Sequence, residues 1–199
     1  MRILIVGASG DIGQAVVAAF EGRHQLITAG RSGGDVQVDM ADRASVQAMY
    51  ASVGQVDAVI STAGAVHFGP LADFTEETFM LGLQNKVMGQ VNLVLAGLDH
   101  VTDGGSFTLT SGVLDRDPIR EGTGAAAANG ALGGFVTGAA IEMPRGQRIN
   151  VVSPGLLQVS VPRYGAFFPG HEPVPSDRVG LAYVKSVEGA LTGQVIIVE

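Results

Sequence analysis

The first thirteen residues constrain everything that follows them. Ile3-Leu4-Ile5-Val6 is an unbroken apolar run, and Gly7-Ala8-Ser9-Gly10-Asp11-Ile12-Gly13 leads from it straight into helix-like sequence. A strand that turns through glycines into a helix N-terminus predicts parallel β-α-β winding. The free N–H groups at such a terminus suit a dinucleotide pyrophosphate. Gly7 permits the sharp turn, Gly10 lets the backbone approach phosphates, and Gly13 allows close helix packing. Ser9 and Ile12 belong to the same cofactor turn. A carboxylate facing the pyrophosphate would repel it, so Asp11 is read as capping the helix with its side chain outward. Three-residue glycine spacing also serves ordinary strand-to-helix turns, and the nucleotide reading rests on the strand and helix around it.

The same alternation runs along the chain. Apolar strands are predicted at Arg2–Ala8, Gln25–Ala29, Val36–Val38, Val56–Thr62, Ser106–Thr110, Arg148–Val152 and Gln194–Val198. Helices are predicted at Ile12–Gly22, Asp42–Val53, Glu76–Leu98, Gly124–Met143 and Ser176–Ala190, with Thr75 as the N-cap before Glu76 and Glu77. Strands apolar at nearly every position are those buried on both faces by helices. The pattern therefore reads as α/β, a doubly wound parallel sheet of about seven strands in a three-layer αβα sandwich. Ligands of such sheets bind beyond the carboxyl ends of the strands, where every motif below falls.

The 199 residues suit one domain, 1–199, with a single substantial core. A 46% hydrophobic content and a mean hydropathy of +0.32 argue for a compact globule. No apolar run approaches the roughly 18 residues of a membrane span. Met1-Arg2-Ile3 enters a strand directly, so no signal peptide is expected and the expected location is cytoplasmic. Cysteine is absent and the four histidines are scattered, which disfavours disulfides and metal sites. A net charge of −7 disfavours non-specific nucleic-acid binding. Many of the 29 glycines lie at turns, and others along the helix near 122–138, where close packing must offset their weak helicity.

The second strand ends Thr28-Ala29-Gly30-Arg31-Ser32. NAD-selective sites place an acid there for the ribose 2′-hydroxyl, whereas Arg31 and Ser32 offer a cation and a hydroxyl to a 2′-phosphate. The alternative is a solvated surface arginine. Asp39, after Val36-Gln37-Val38, is placed either to accept from an adenine amino group or to cap the following helix. Ser61-Thr62-Ala63-Gly64 ends the fourth strand with the small residues needed beside a cofactor ribose.

Together these segments resemble the short-chain dehydrogenase/reductase family over nearly the whole chain. Gly7-x-x-Gly10-x-x-Gly13 is similar to the glycine motif of its extended and atypical branches, and Thr62-Ala63-Gly64 to its Asn-Ala-Gly element. The resemblance implies that Asn85 is the helix asparagine supporting a proton-relay water. It implies that Ser111, in Thr108-Leu109-Thr110-Ser111-Gly112, bonds a substrate carbonyl. Arg148-Ile149-Asn150-Val151-Val152-Ser153-Pro154-Gly155 is similar to the strand and turn that flank the nicotinamide, which places Pro154, Gly155 and Leu156 in the cofactor site. It also implies a homodimer or homotetramer built on the helices Glu76–Leu98 and Gly124–Met143.

Two positions depart from the family. Aligning on Gly130-Ala131-Leu132 puts Ala125 where a tyrosine acid belongs and Asn129 where its lysine partner belongs. Alanine carries no proton, and asparagine can bond ribose hydroxyls but supplies no charge. Losing a general acid costs a factor of about 10²–10⁴. Replacement candidates are His67, alternatively an exposed loop histidine, and Tyr164, alternatively an apolar lid contact. Lys86 neighbours Asn85, but adjacent helix residues point about 100° apart, so one site does not take both. Asp115, Arg116, Asp117 and Arg120 are either solvated surface or a polar-substrate contact. The expected function is an NADP(H)-dependent oxidoreductase acting on a carbonyl or alcohol through an altered proton relay, with Ser111, Asn85 and Asn129 as its catalytic set. The rival is a non-catalytic NADP(H)-binding sensor or scaffold.

Overall fold

In the computed structural model, which describes residues 1–199, the chain winds seven strands into one parallel sheet. These are β1 (Arg2–Val6), β2 (Gln25–Gly30), β3 (Val36–Gln37), β4 (Val56–Ser61), β5 (Val101–Thr110), β6 (Arg148–Pro154) and β7 (Val195–Val198). Their order is β3-β2-β1-β4-β5-β6-β7, and every pairing is parallel. The winding reverses at β1, where Val6 pairs with Ala29 on one side and Ser61 on the other. That reversal opens a crevice beyond the ends of β1 and β4.

The helices cover both faces of the sheet. Ile3 and Ile5 pack into one core with Val16 and Phe20 of α1 (Asp11–Phe20) and Val179 and Tyr183 of α7 (Ser176–Glu188). Leu4 and Val6, on the opposite face, pack with α2 (Arg43–Val53), α4 (Gly89–Gly97) and α5 (Thr123–Ala139). A strand segment with a core on each side has no position for a polar residue, which is why Ile3–Val6 of β1 is apolar throughout. This is the αβα sandwich that the alternation predicts.

Most boundaries agree with the sequence reading within two residues, and three segments differ by more. The segment expected as one helix over Glu76–Leu98 is α3 (Glu76–Gly82), a π-helical turn (Leu83–Met88) and then α4. Residues Gly124–Met143 were expected to be helical throughout, but α5 stops at Ala139, ahead of Pro144, before which helical backbone is disfavoured. β5 begins at Val101, five residues before the expected Ser106, because Val101 pairs with Val56 across a register shift. The short helix α6 (Val161–Tyr164) has no counterpart in the sequence reading and belongs to the segment above the crevice.

Buried polar groups fix the end of β5. The Gln90 side chain of α4 donates to the Thr110 carbonyl (2.9 Å) and accepts from the Thr110 N–H (2.8 Å). Thr110 Oγ1 donates to the Ser61 carbonyl (2.5 Å) and lies 2.5 Å from the Tyr183 hydroxyl. The chain is thus held from three sides one residue before Ser111. Replacing Gln90 with leucine leaves two buried backbone groups unpaired, each worth about 1–3 kcal/mol. We expect Gln90→Leu to lose about 2–4 kcal/mol in urea denaturation. A loss below 0.5 kcal/mol would show that water or a local shift repairs the contact.

Candidate active site

Beyond the carboxyl ends of β1, β4, β5 and β6 lies a cavity of about 560 Å³. Its floor is the glycine turn. Gly7 has φ +94°, and a Cβ there would lie 2.8 Å from Ala63 Cβ. A Cβ on Gly13 would lie 2.2 Å from the Gly7 carbonyl, so α1 approaches β1 only because residue 13 has no side chain. Gly10 differs, since its closest neighbour would be 3.7 Å away. Internal packing does not require glycine there. Gly10 is the N-cap of α1 and supplies no side-chain cap, which leaves the first-turn N–H groups to an anion. Thr62 fastens β4 to this turn by donating to the Gly7 carbonyl (2.9 Å).

Asp11 does not cap α1. Its carboxylate accepts from Ser160 and Arg163, which belong to the segment over the cavity. The Arg163 hydrogen bond, then that from Ser160, holds its pKa below the usual carboxylate value. The pairing offsets the Asp11 charge at the start of α1.

The polar end of the cavity is built by Ser111, Asn129 and Lys86. Ser111 follows β5, and its Oγ is buried with no hydrogen-bond partner. Asn129 of α5 is buried; its Nδ2 donates to the Gly112 carbonyl (3.0 Å) and its Oδ1 accepts from Lys86 Nζ (2.6 Å). Lys86 Nζ also donates to the Ser111 carbonyl (3.0 Å). Burial pushes the Lys86 pKa down to about 8, partly opposed by the charge of Asp115. Ala125 lies at the apolar side, packed with Val113 and Leu114 and against Phe168. The outer walls are apolar too, through Val66, Phe68, Ile119 and Phe167.

A family model described as "Enoyl-(Acyl carrier protein) reductase" matches residues 7–167. The chain is a short-chain dehydrogenase/reductase. An uncharacterized oxidoreductase of Methylorubrum extorquens is 28% identical over 124 residues, 62% of this chain and 50% of that protein. Elsinochrome reductase 1 of Elsinoe fawcettii is 28% identical over 162 residues, 77% of this chain and 57% of that protein. The chain spans about half the length of the curated relatives it matches. Among solved structures, the protein lin1944 from Listeria innocua is 48% identical with a TM-score of 0.99, covering 100% of both chains. A small-chain dehydrogenase in complex with NADPH is 25% identical with a TM-score of 0.88, covering 100% of this chain and 96% of that one.

As a short-chain dehydrogenase/reductase the chain places some expected residues at the cavity and others elsewhere. Gly10, Asp11, Ile12, Thr62, Ser111, Asn129, Pro154, Gly155 and Leu156 line it. Asn85 does not; its amide donates to the Leu81 carbonyl (3.2 Å). The π-helical turn presents Lys86 to the cavity instead. His67 stacks edge-on against Phe74 at 5.2 Å and stays outside the cavity. Tyr164 lines it but is half exposed, with the Arg163 guanidinium over its ring. Arg31, Ser32 and Asp39 lie on the exposed surface beyond β2 and β3, and Ser9 is exposed on the glycine turn. Asp39 accepts from the Ala41 N–H (3.0 Å), while the cap of α2, the alternative role for Asp39, is provided by Asp42 (2.9 Å to the Ala44 N–H). Arg116 is bonded to Ser153 Oγ (2.6 Å) and Glu199, so it serves the sheet end, whereas Arg120 lines the cavity without an ion pair.

Lys86, whose neighbour Asn85 matches the family in residue type, is the cation at the polar end of this site. Its depressed pKa has a measurable consequence. Below pH 8 the lysine is charged in both folded and unfolded chains. Between about 8 and the ordinary 10.5, only the unfolded lysine holds its proton, so the folded state gains stability as pH rises. Relative to Lys86→Met, the wild type should gain about 2 kcal/mol between pH 7 and pH 10. Chemical denaturation at both pH values measures this, and a pH-independent difference would show that Lys86 titrates as a solvated lysine.

Proposed function

We propose that the chain is an NADP(H)-dependent oxidoreductase that reduces a carbonyl, or oxidises the corresponding alcohol, with a proton relay other than a tyrosine–lysine pair. The observation that carries this reading is Ser111 Oγ, a buried hydroxyl with no partner in the cavity wall it shares with Lys86 and Asn129. An unsatisfied buried hydroxyl costs about 1–3 kcal/mol, and a substrate oxygen relieves that cost. Donation from Ser111 to an oxygen gaining negative charge strengthens toward the transition state. The apolar outer walls suit a carbonyl carried on an apolar body.

The residues fit the cofactor. The first turn of α1 and Gly10 would hold its pyrophosphate, Thr62, Ala63 and Gly64 would border a ribose, and Pro154, Gly155 and Leu156 would flank the nicotinamide. Asn129 has one amide N–H left for a ribose hydroxyl once Gly112 and Lys86 are bonded. When bound, the reduced nicotinamide would supply hydride. Selectivity for the 2′-phosphate is supported at β2. Arg31 makes no ion pair, and Asp35, the nearby acid, is turned back to accept from the Thr28 N–H (2.8 Å) and hydroxyl (2.9 Å). The solved relative in complex with NADPH agrees with this choice.

We expect NADPH to bind more tightly than NADH, and Arg31→Ala to narrow the difference, by calorimetry. With a panel of aldehydes and ketones, Ser111→Ala should lower NADPH turnover at least 10-fold with cofactor affinity nearly unchanged. Equal affinity for the two cofactors would remove the 2′-phosphate assignment. The apolar packing around Ala125 favours one second reading, an NADP(H)-binding sensor or scaffold. Tight NADPH binding with no oxidation by any carbonyl would establish it.

We also propose that the chain self-associates. Gly130, Gly134 and Gly138 leave one face of α5 flat and open, and Leu81, Met88 and Leu95 are exposed on the helical segments before β5. Exposed glycine inside a helix costs about 1 kcal/mol relative to alanine, a cost that close packing against a second copy offsets. We expect a homodimer or homotetramer by light scattering, and a smaller species for Gly134→Arg. A monomer at micromolar concentration would refute this.

A further inference from the structure

The Lys86 side chain reaches the cavity through a slot that glycine opens. A Cβ on Gly64 would lie 2.7 Å from Lys86 Cγ and 3.0 Å from its Cβ, so any larger residue there displaces the lysine stem. At the end of that slot the ammonium meets two acceptors, the Ser111 carbonyl at 3.0 Å and Asn129 Oδ1 at 2.6 Å. A lysine ammonium has three N–H groups, and the third has no partner in the structure. Nor does Ser111 Oγ, on the same residue whose carbonyl Lys86 holds. Two polar hydrogens without acceptors therefore stand at the same end of one cavity.

We propose that Lys86 is the proton donor to the carbonyl oxygen in reduction and the proton acceptor from the alcohol in oxidation, a catalytic role that rests on the oxidoreductase reading above. In reduction the carbonyl carbon gains hydride and its π bond opens onto oxygen. One Lys86 N–H bond breaks, the O–H bond forms, and the electron pair stays on nitrogen as a neutral amine. Solvent then reprotonates the amine. Ser111 donates to the same oxygen throughout and keeps its own proton. Asn129 is a positioning residue, holding Nζ through its Oδ1.

The surroundings suit proton release. Burial brings the Lys86 pKa down to about 8, so the ammonium predominates near neutrality yet releases its proton without a large penalty. Asp115, paired at 3.3 Å with Arg116, is the charge that acts on it from the turn after β5. Asn129 faces it from α5, and Thr62, Ala63 and Gly64 from the end of β4, none of them titratable in this range. The remaining titratable groups of the cavity are Asp11, held by Arg163, and Arg120, Glu121 and Tyr164 on the outer segments.

Arginine at this position separates charge from proton transfer, because guanidinium stays charged at any working pH. Lys86 and Lys185 are the only lysines of the chain, and Lys185 is exposed on α7. Protein labelled with ¹³C at the lysine ε-carbon therefore gives two resonances, which Lys86→Arg assigns. We expect the Lys86 resonance to titrate at least one pH unit below that of Lys185 and to shift when NADPH is added. Carbonyl reduction should fall, and alcohol oxidation rise, through the same midpoint. Lys86→Arg and Lys86→Met should each lose at least 100-fold in turnover, with NADPH affinity in Lys86→Arg within about threefold of wild type. Turnover retained in Lys86→Arg, or lost instead in Tyr164→Phe, would overturn the assignment while leaving the oxidoreductase reading intact. So would a rate that stays flat through the Lys86 titration, or a Lys86 that titrates with Lys185. Wild type silent toward every carbonyl would overturn both readings together.

Discussion

The contact between Gly13 and the Gly7 carbonyl sets the geometry on which the rest of the molecule depends. With 2.2 Å available where a Cβ would stand, α1 can leave the end of β1 at its observed angle only with glycine at 13. That angle lays Val16 and Phe20 over Ile3 and Ile5, closing one of the two cores. It also aims the first turn of α1 across the crevice between β1 and β4, where Ser61 and Thr62 end. Core and ligand cradle are therefore consequences of one close approach. Gly180 of α7 repeats the arrangement, since a Cβ there would lie 2.9 Å from the Ala15 carbonyl and from Ala19 Cβ. The helix layer over β1 is thin because glycine makes it so.

A different force dominates the far end of the cavity. Bringing an ammonium out of water is costly, and a low-dielectric site tolerates it only with good acceptors nearby. Here the acceptors are a backbone carbonyl at the end of β5 and a carboxamide on α5, both held by other contacts. Gln90, Ser61 and Tyr183 fix β5 one residue upstream, so the carbonyl that binds Lys86 cannot retreat. The Asn129 amide is set by Gly112, where a Cβ would lie 3.1 Å from Nδ2. The buried hydrogen-bond network that stabilises the sheet end is thus also what keeps the lysine in place, while burial is what holds its pKa low.

Much of the fold was legible because it follows from patterns with a physical period. Runs such as Ile3–Val6 and Val56–Ser61 are apolar at almost every position, and only burial on two faces explains that. The glycine turn declared itself by spacing and by the strand before it. The polar end of the cavity was less legible. Ser111 and Asn129 were found from position along the chain, since each stands at a fixed offset from a recognisable segment. Lys86 was missed because Asn85 offered a match of residue type one position earlier. Nothing in Leu83-Gln84-Asn85-Lys86-Val87-Met88 signals that the helix widens to a π turn there, and an extra residue per turn is what decides which side chain meets the cavity. The contacts of Asp11, and the choice of Asp42 over Asp39 as the cap of α2, were illegible for a related reason. A short carboxylate near a helix start can cap it, bond a neighbouring N–H or reach another segment, and only the tertiary structure chooses among these.

The exchange of residue types between two helices accounts for this departure from the family better than decay does. The resemblance leads to an asparagine on the helix before β5 and a lysine on the helix after it. This chain presents Lys86 from the first and Asn129 from the second, joined by a 2.6 Å hydrogen bond. A site losing function by drift has no reason to bury a new charge where an old one has gone, because an unneeded ammonium in a cavity is destabilising. Decay also gives no reason for Asn129 and the Ser111 carbonyl to converge on its nitrogen. Ala125 fits the same logic. Its small side chain joins Val113, Leu114 and Phe168 in an apolar wall, so that the cationic pole of the cavity lies at Lys86 and the opposite wall is left to the body of a substrate. Charge, hydroxyl and apolar wall are all present; they are distributed over different elements.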